Sequence, residues 1–205
     1  MLAQRPPLGW NSWNTFAGDI TADVVKETAD AFVAMGLKDA GYEYIVIDDL
    51  WEADERIDGR LTWDTKKFPE GIPALANYVH GKGLKFGIYS CAGSYTCADK
   101  PASYGYEEED ARTFAEWGVD FLKYDFCNVP PGIDGPMLYR RMAQALRNTG
   151  RPILFSMCEW GHHHPWEWGA AAGAQMWRTT GDIQDSWESI LHIGITAQDG
   201  LERYA

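Results

Sequence analysis

No stretch of the 205 residues approaches the run of about 18–20 apolar residues that a membrane helix needs, so no helical membrane span is expected. The opening ten residues, MLAQRPPLGW, lack the apolar segment of a signal peptide, and none is expected in this chain. Positive charge is scarce. Eighteen Lys and Arg stand against thirty Asp and Glu, a formal net charge of −12. Such a balance repels polyanions and disfavours nucleic acid or an anionic membrane as a partner. No low-complexity segment, internal repeat or N-x-[ST] sequon occurs. Cysteine is limited to Cys91, Cys97, Cys127 and Cys158, without a C-x-x-C, which argues against a zinc framework. The residues alone leave open several pairings as well as four buried free thiols. What is abundant is aromatic: ten Trp, ten Tyr and eight Phe, flat faces that serve cores and sugar rings alike. With 45% hydrophobic and 23% charged residues, the chain is expected to fold as one ordinary domain.

Short β-rich runs alternate with helical patterns along the sequence. Strands are expected at 8–13, 44–48, 85–89, 120–125, 152–157 and 175–178, from apolar runs such as YIVID and DFLKYD. Helices are expected at 23–40, 72–82, 107–117, 136–148, 166–172 and 185–197. In the first of these, Val24, Thr28, Ala31, Ala34 and Met35 are expected to share a face, and Gly41 to end the helix. Six β/α units in register mean a parallel α/β sheet with helices outside. A doubly wound sheet and a (β/α)8 barrel both fit this pattern. No G-x-G-x-x-G follows the first strand, while polar residues close successive strands: Asp48-Asp49, Tyr89, Asp125, Glu159 and Arg178. A barrel active site requires that placement, and the barrel is the expected architecture.

Asp125 ends the strand FLKYD, and Lys123 two residues earlier points to the same face. A neighbouring Lys would lower the Asp125 pKa and keep it anionic, as a nucleophile must be. The plainer role for such an Asp is to cap a loop. Asp182 and Asp185 follow the sixth strand. Asp185 is the better placed to cap the next helix, which leaves Asp182 for chemistry. Two loop-facing carboxylates in separate units suit acid and base work at a glycosidic oxygen. Arg178 reads equally well as a surface cation. The run DERIDG at 54–59 mimics the start of a calcium loop, but Arg56 and Thr65 occupy ligand positions and exclude it. His162–His164 is expected to be a solvated loop, since successive residues point apart. No G-x-S-x-G or Cys/His nucleophile pattern appears.

Six strings lie in order over nearly the whole chain: GWNSWN at 9–14, IDDLW at 47–51, KFGIYS at 85–90, TCADKPASYGYEEEDARTFAEWGVDFLKYDFC at 96–127, CEW at 158–160 and WRTTGDIQDSW at 177–187. Jointly they resemble the α-galactosidases of glycoside hydrolase family 27, the melibiases. The resemblance implies a (β/α)8 barrel and retaining double displacement at terminal α-D-galactosyl residues. About the first six β/α units would lie in residues 1–205. Strands 7 and 8, with the family's W-N-D-P-D-M-like segment, and any C-terminal β domain would lie outside them. It implies Asp125 as nucleophile and Asp182 as acid/base. Sugar contacts fall on Trp13, Asp48, Asp49, Tyr89, Cys97, Lys123, Glu159 and Arg178, and a disulfide on Cys97 and Cys127. Leu50 stands where many relatives carry Cys, so a second disulfide is not implied. The partner is an α-galactoside oligosaccharide or glycoconjugate, with neither metal nor organic cofactor. A secreted or periplasmic compartment follows if the disulfide forms. Glu159 resembles the galactosidase version of its motif, since N-acetylgalactosaminidases carry a small residue there. The Asp48-Asp49 pair is unlike the β-L-arabinopyranosidase branch. Those two activities and a non-catalytic galactose-binding protein are the alternatives.

Overall fold

Continuous apolar runs form strands when both faces of a sheet are covered. In the computed structural model, which describes residues 2–204, six such strands lie side by side in chain order. They are β1 (Leu8–Asn11), β2 (Tyr42–Val46), β3 (Lys85–Cys91), β4 (Phe121–Asp125), β5 (Leu154–Cys158) and β6 (Met176–Trp177). Every neighbouring pair is parallel. Helices α1 (Trp13–Phe16), α2 (Ala22–Ala34), α3 (Ile72–Gly81), α4 (Glu107–Glu116), α5 (Gly135–Asn148), α6 (Pro165–Ala172) and α7 (Trp187–Gly194) fill the connections. The sheet curls as part of a (β/α)8 barrel, as expected.

Alternation along the strands divides the interior in two. Ile45, Phe86, Ile88, Leu122, Tyr124, Phe155 and Met157 join the large core beneath the helices. Tyr44, Val46, Phe121 and Leu154 point the other way and form a second cluster on the inner face. Register aligns Val46, Gly87, Phe121 and Leu154 in one row. Gly87 belongs in that row because a Cβ there would lie 2.7 Å from Val46 Cγ2. The next rows along the same face are Tyr89, Lys123 and Ser156, then Cys91, Asp125 and Cys158. Packing thus fills the bottom of the curl and leaves the chemistry to its C-terminal mouth.

Four expectations are corrected. β1 stops at Asn11, because the Asn11 Oδ1 accepts the Trp13 N–H at 2.9 Å and turns the chain into α1. Helix α2 buries Ala22, Val25, Ala29 and Phe32, while Ala31, Ala34 and Met35 are exposed. Phe32 is the largest apolar side chain of the helix, and its burial sets the face. Gly36, at φ +74°, follows the helix's end after Ala34, well before Gly41. Finally, Ser186 and not Asp185 caps α7, its Oγ accepting the Ser189 N–H at 3.2 Å.

Candidate active site

Asp48 and Asp49 emerge just past β2, and local backbone sets both. The Asp48 N–H donates to Ser12 Oγ at 2.9 Å, which ties the β2 end to the β1 end. Asp48 Oδ2 then accepts from Asn11 Nδ2 at 2.6 Å and from Lys123 Nζ at 2.8 Å. Asp49 accepts the N–H groups of Leu50 at 2.8 Å and Ala98 at 3.0 Å. Burial pushes the Asp49 carboxyl above its ordinary value, against those hydrogen bonds. Leu50, at φ +71°, holds a left-handed conformation at this rim, as do Asn128 beyond β4 and Trp160 beyond β5.

Lys123 is the hub. Its Nζ also lies 3.9 Å from Asp125 Oδ2 and 5.1 Å from the centre of the Tyr89 ring. Burial works against its charge, but Asp48 and the other nearby anionic groups outweigh this and raise its pKa. Asp125 is 5% exposed and accepts the Phe126 N–H at 2.9 Å. Its pKa is raised, because burial exceeds the lowering effect of Lys123. The Lys acts in the expected direction and does not win. Cys91 and Cys158 flank Asp125 in register as buried free thiols, the latter pushed up to about 12 chiefly by burial.

Cys97 and Cys127 form a disulfide, as the resemblance implies, and their sulfurs lie within 4.8 Å of an Asp125 oxygen. Both sulfurs being bonded to each other, this trio offers no metal donor set. Tyr89 OH donates to Cys97 Sγ at 3.3 Å, and the Tyr89 carbonyl accepts Trp51 Nε1 at 2.9 Å. Glu159 follows β5 fully buried, with Oε2 taking both the backbone N–H and ring Nδ1 of His163, at 2.8 and 2.9 Å. His162, His163 and His164 are all exposed, as expected of a solvated loop, although the His163 side chain, 40% exposed, reaches Glu159. Arg178, past β6, reaches Cys158 Sγ at 3.5 Å and Asp182 Oδ1 at 2.7 Å. It is a cross-link and not a free surface cation.

A cleft of about 650 Å³ spans from the β1 end to the β6 end, lined by Asn11, Trp13, Lys123, Arg178 and Asp182 among others. Asp48 and Asp125 do not line it but contact Lys123, which does. The inner rows therefore bring Asp48, Asp49, Tyr89, Cys97, Lys123 and Asp125 into one contact network, with Arg178, Asp182 and Trp13 across the cleft. Sequence reasoning missed Asn11, Ser12, Trp51 and His163 as partners. Asn11 was within reach, since it closes β1 as Asp125 closes β4.

A protein-family model described as Alpha galactosidase A matches residues 5–200. The chain is 47% identical to alpha-galactosidase A of Cellvibrio japonicus over 100% of its length and 52% of that protein's. It is 53% identical to an alpha-galactosidase of Cyamopsis tetragonoloba over 94% of this chain and 47% of that one. A solved Saccharomyces cerevisiae alpha-galactosidase with raffinose superposes with a TM-score of 0.86 at 42% identity, covering 90% of this chain and 42% of that one. The chain spans about half the length of these relatives.

Proposed function

The chain belongs to the alpha galactosidase A family, and from that premise we propose that it carries the catalytic half-site of a retaining exo-α-galactosidase. The observation that carries this reading is the buried Asp48–Lys123–Asp125 line at the mouth of the curl. Two acceptor carboxylates on one ammonium, beside a tyrosine, suit a ring bearing several hydroxyls. Residues 1–205 act as the first six β/α units of a barrel catalytic domain. Asp125 is the nucleophile. It attacks the anomeric carbon while Asp182 protonates the departing glycosidic oxygen, giving a covalent glycosyl-enzyme. Asp182 then takes a proton from water, which releases the sugar. Lys123 favours the ionised form of Asp125 against the pull of burial. Trp13, Asp48, Asp49, Tyr89, Cys97, Lys123, Glu159 and Arg178 bind the galactosyl unit. Raffinose, held by the yeast relative, names the class of α-galactosyl oligosaccharide to offer. Glu159 and the Asp48-Asp49 pair favour galactose over N-acetylgalactosamine and arabinopyranose. The disulfide supports a secreted or periplasmic setting.

Hydrolysis of a 4-nitrophenyl α-galactoside tests this reading. Asp125→Asn is expected to abolish turnover. Asp182→Asn is expected to retain more activity on this activated leaving group than on raffinose, because nitrophenolate departs without protonation. Galactose binding without turnover by the unaltered chain would instead identify a non-catalytic binding protein.

A further inference from the structure

We propose that His163 is a positioning residue for Glu159, one that pins one carboxylate oxygen and leaves the other, buried and without a donor, as the acceptor for a hydroxyl of the bound sugar. The inference rests on the reading of the site given above and adds to it a residue from outside the matched strings. Glu159 Oε2 accepts twice from the same residue, the His163 backbone N–H at 2.8 Å and ring Nδ1 at 2.9 Å. Oε1 is buried and has no hydrogen-bond partner. A buried carboxylate oxygen left without a donor is unfavourable, so an incoming hydroxyl that supplies one is favoured. Since a carboxylate oxygen only accepts, the Nδ1 facing it carries the hydrogen.

The imidazole, 40% exposed, is braced along its buried side, and its backbone is tied separately. Its ring meets Phe126 edge-on at 5.2 Å. Its carbonyl accepts Trp168 Nε1 at 2.7 Å, fixing the loop to α6. At the start of α5, a Cβ on Gly135 would lie 3.0 Å from His163 Cε1, so glycine makes room for the ring. Phe126 in turn donates its N–H to Asp125. One ring thus braces Glu159 and the segment behind Asp125. His162 packs edge-on against Trp160 and His164 stacks on Trp166, which leaves the middle imidazole to Glu159.

The test compares two replacements. His163→Phe keeps the ring and removes the donor, whereas His163→Asn keeps an N–H near the Nδ1 position. His163→Phe is expected to raise KM for 4-nitrophenyl α-galactoside and Ki for free galactose by a common factor of about tenfold, with kcat little changed. His163→Asn recovers most of the loss. Long-range ¹H–¹⁵N spectra of the full chain are expected to show the Nδ1–H tautomer of His163, and to change in Glu159→Gln. An Nε2–H tautomer in the unaltered chain overturns the proposal. So does a His163→Phe variant matching the unaltered chain in KM and Ki, or equal impairment of the Phe and Asn variants. If the unaltered chain neither binds nor hydrolyses galactosides, the functional reading falls. The spectra then decide the positioning contact alone, Nδ1–H sustaining it and Nε2–H refuting it.

Discussion

Glu52 is 1% exposed, and neither of its carboxyl oxygens has a hydrogen-bond partner. Burial raises its pKa well above the ordinary 4.5, and the charge on Asp49 adds to the rise. The folded state therefore holds a proton that the unfolded chain releases above about pH 4.5. Folding binds more protons in that window, so stability falls as pH rises through it. At neutral pH the fold either keeps Glu52 protonated or buries an unpaired charge, and both are unfavourable relative to an apolar side chain of equal length. Glu52→Met is expected to stabilise the chain by about 1–3 kcal/mol at pH 7, with a smaller gain near pH 4. Urea denaturation at the two pH values measures this. A gain independent of pH would show that the carboxyl does not titrate in this window.

The long β2–α3 connection is held as an element by Arg56. Its guanidinium pairs with both oxygens of fully buried Asp110 on α4, each at 2.7 Å, and donates to the carbonyls of Gly59 and Ala102. Its plane lies 4.0 Å from the centre of the Tyr106 ring. Arg56→Met leaves Asp110 buried and unpaired and is expected to cost about 3–5 kcal/mol. The double variant Arg56→Met with Asp110→Leu should recover most of that, which thermal melts of the three proteins would establish. If the double variant is as unstable as the single, the carbonyl bonds carry the loop instead. From the sequence, Arg56 served only to reject a calcium loop, since nothing local links it to a residue 54 positions away. The six strands were legible because runs such as YIV and KFGIY have one conformation that buries both faces. The faces of α2 were not, because two stripes of similar apolar content compete and only the sheet selects the one with Phe32. The charged site residues could be placed by one rule, the C-terminal end of a parallel strand. The partner of Glu159 could not, because a loop histidine has no periodicity to reveal where it points.

At the scale of the whole molecule, two features of the described residues promote contact with other copies. β1 and β6 form the ends of the six-strand order, each with backbone groups unpaired on one side. Around β6, Ile183, Trp187, Ile190, Leu191 and Ile195 are exposed, Trp187 to 67% and Ile195 to 64%. A patch of this kind is a contact surface for whatever covers it. The net charge of −12 opposes self-association over distances up to about 10 Å at 0.1 M salt, a range that shrinks as salt is added. Apolar attraction does not weaken in step. The 205-residue chain is therefore expected to be mostly monomeric at low ionic strength and to associate as sodium chloride is raised. The opposite trend would mark association driven by ion pairs such as those of the surface lysines. Light scattering coupled to size exclusion, at matched protein concentration and several salt levels, distinguishes the two. Trp187→Glu combined with Ile195→Glu should hold the chain monomeric at every salt level, because the pair removes apolar area and adds like charge. A doubly substituted chain that associates as readily as the unaltered one would move the contact from α7 to the strand edges. Pro substitution within β1 would then be the next variant to make, since it removes an edge donor without altering the apolar patch.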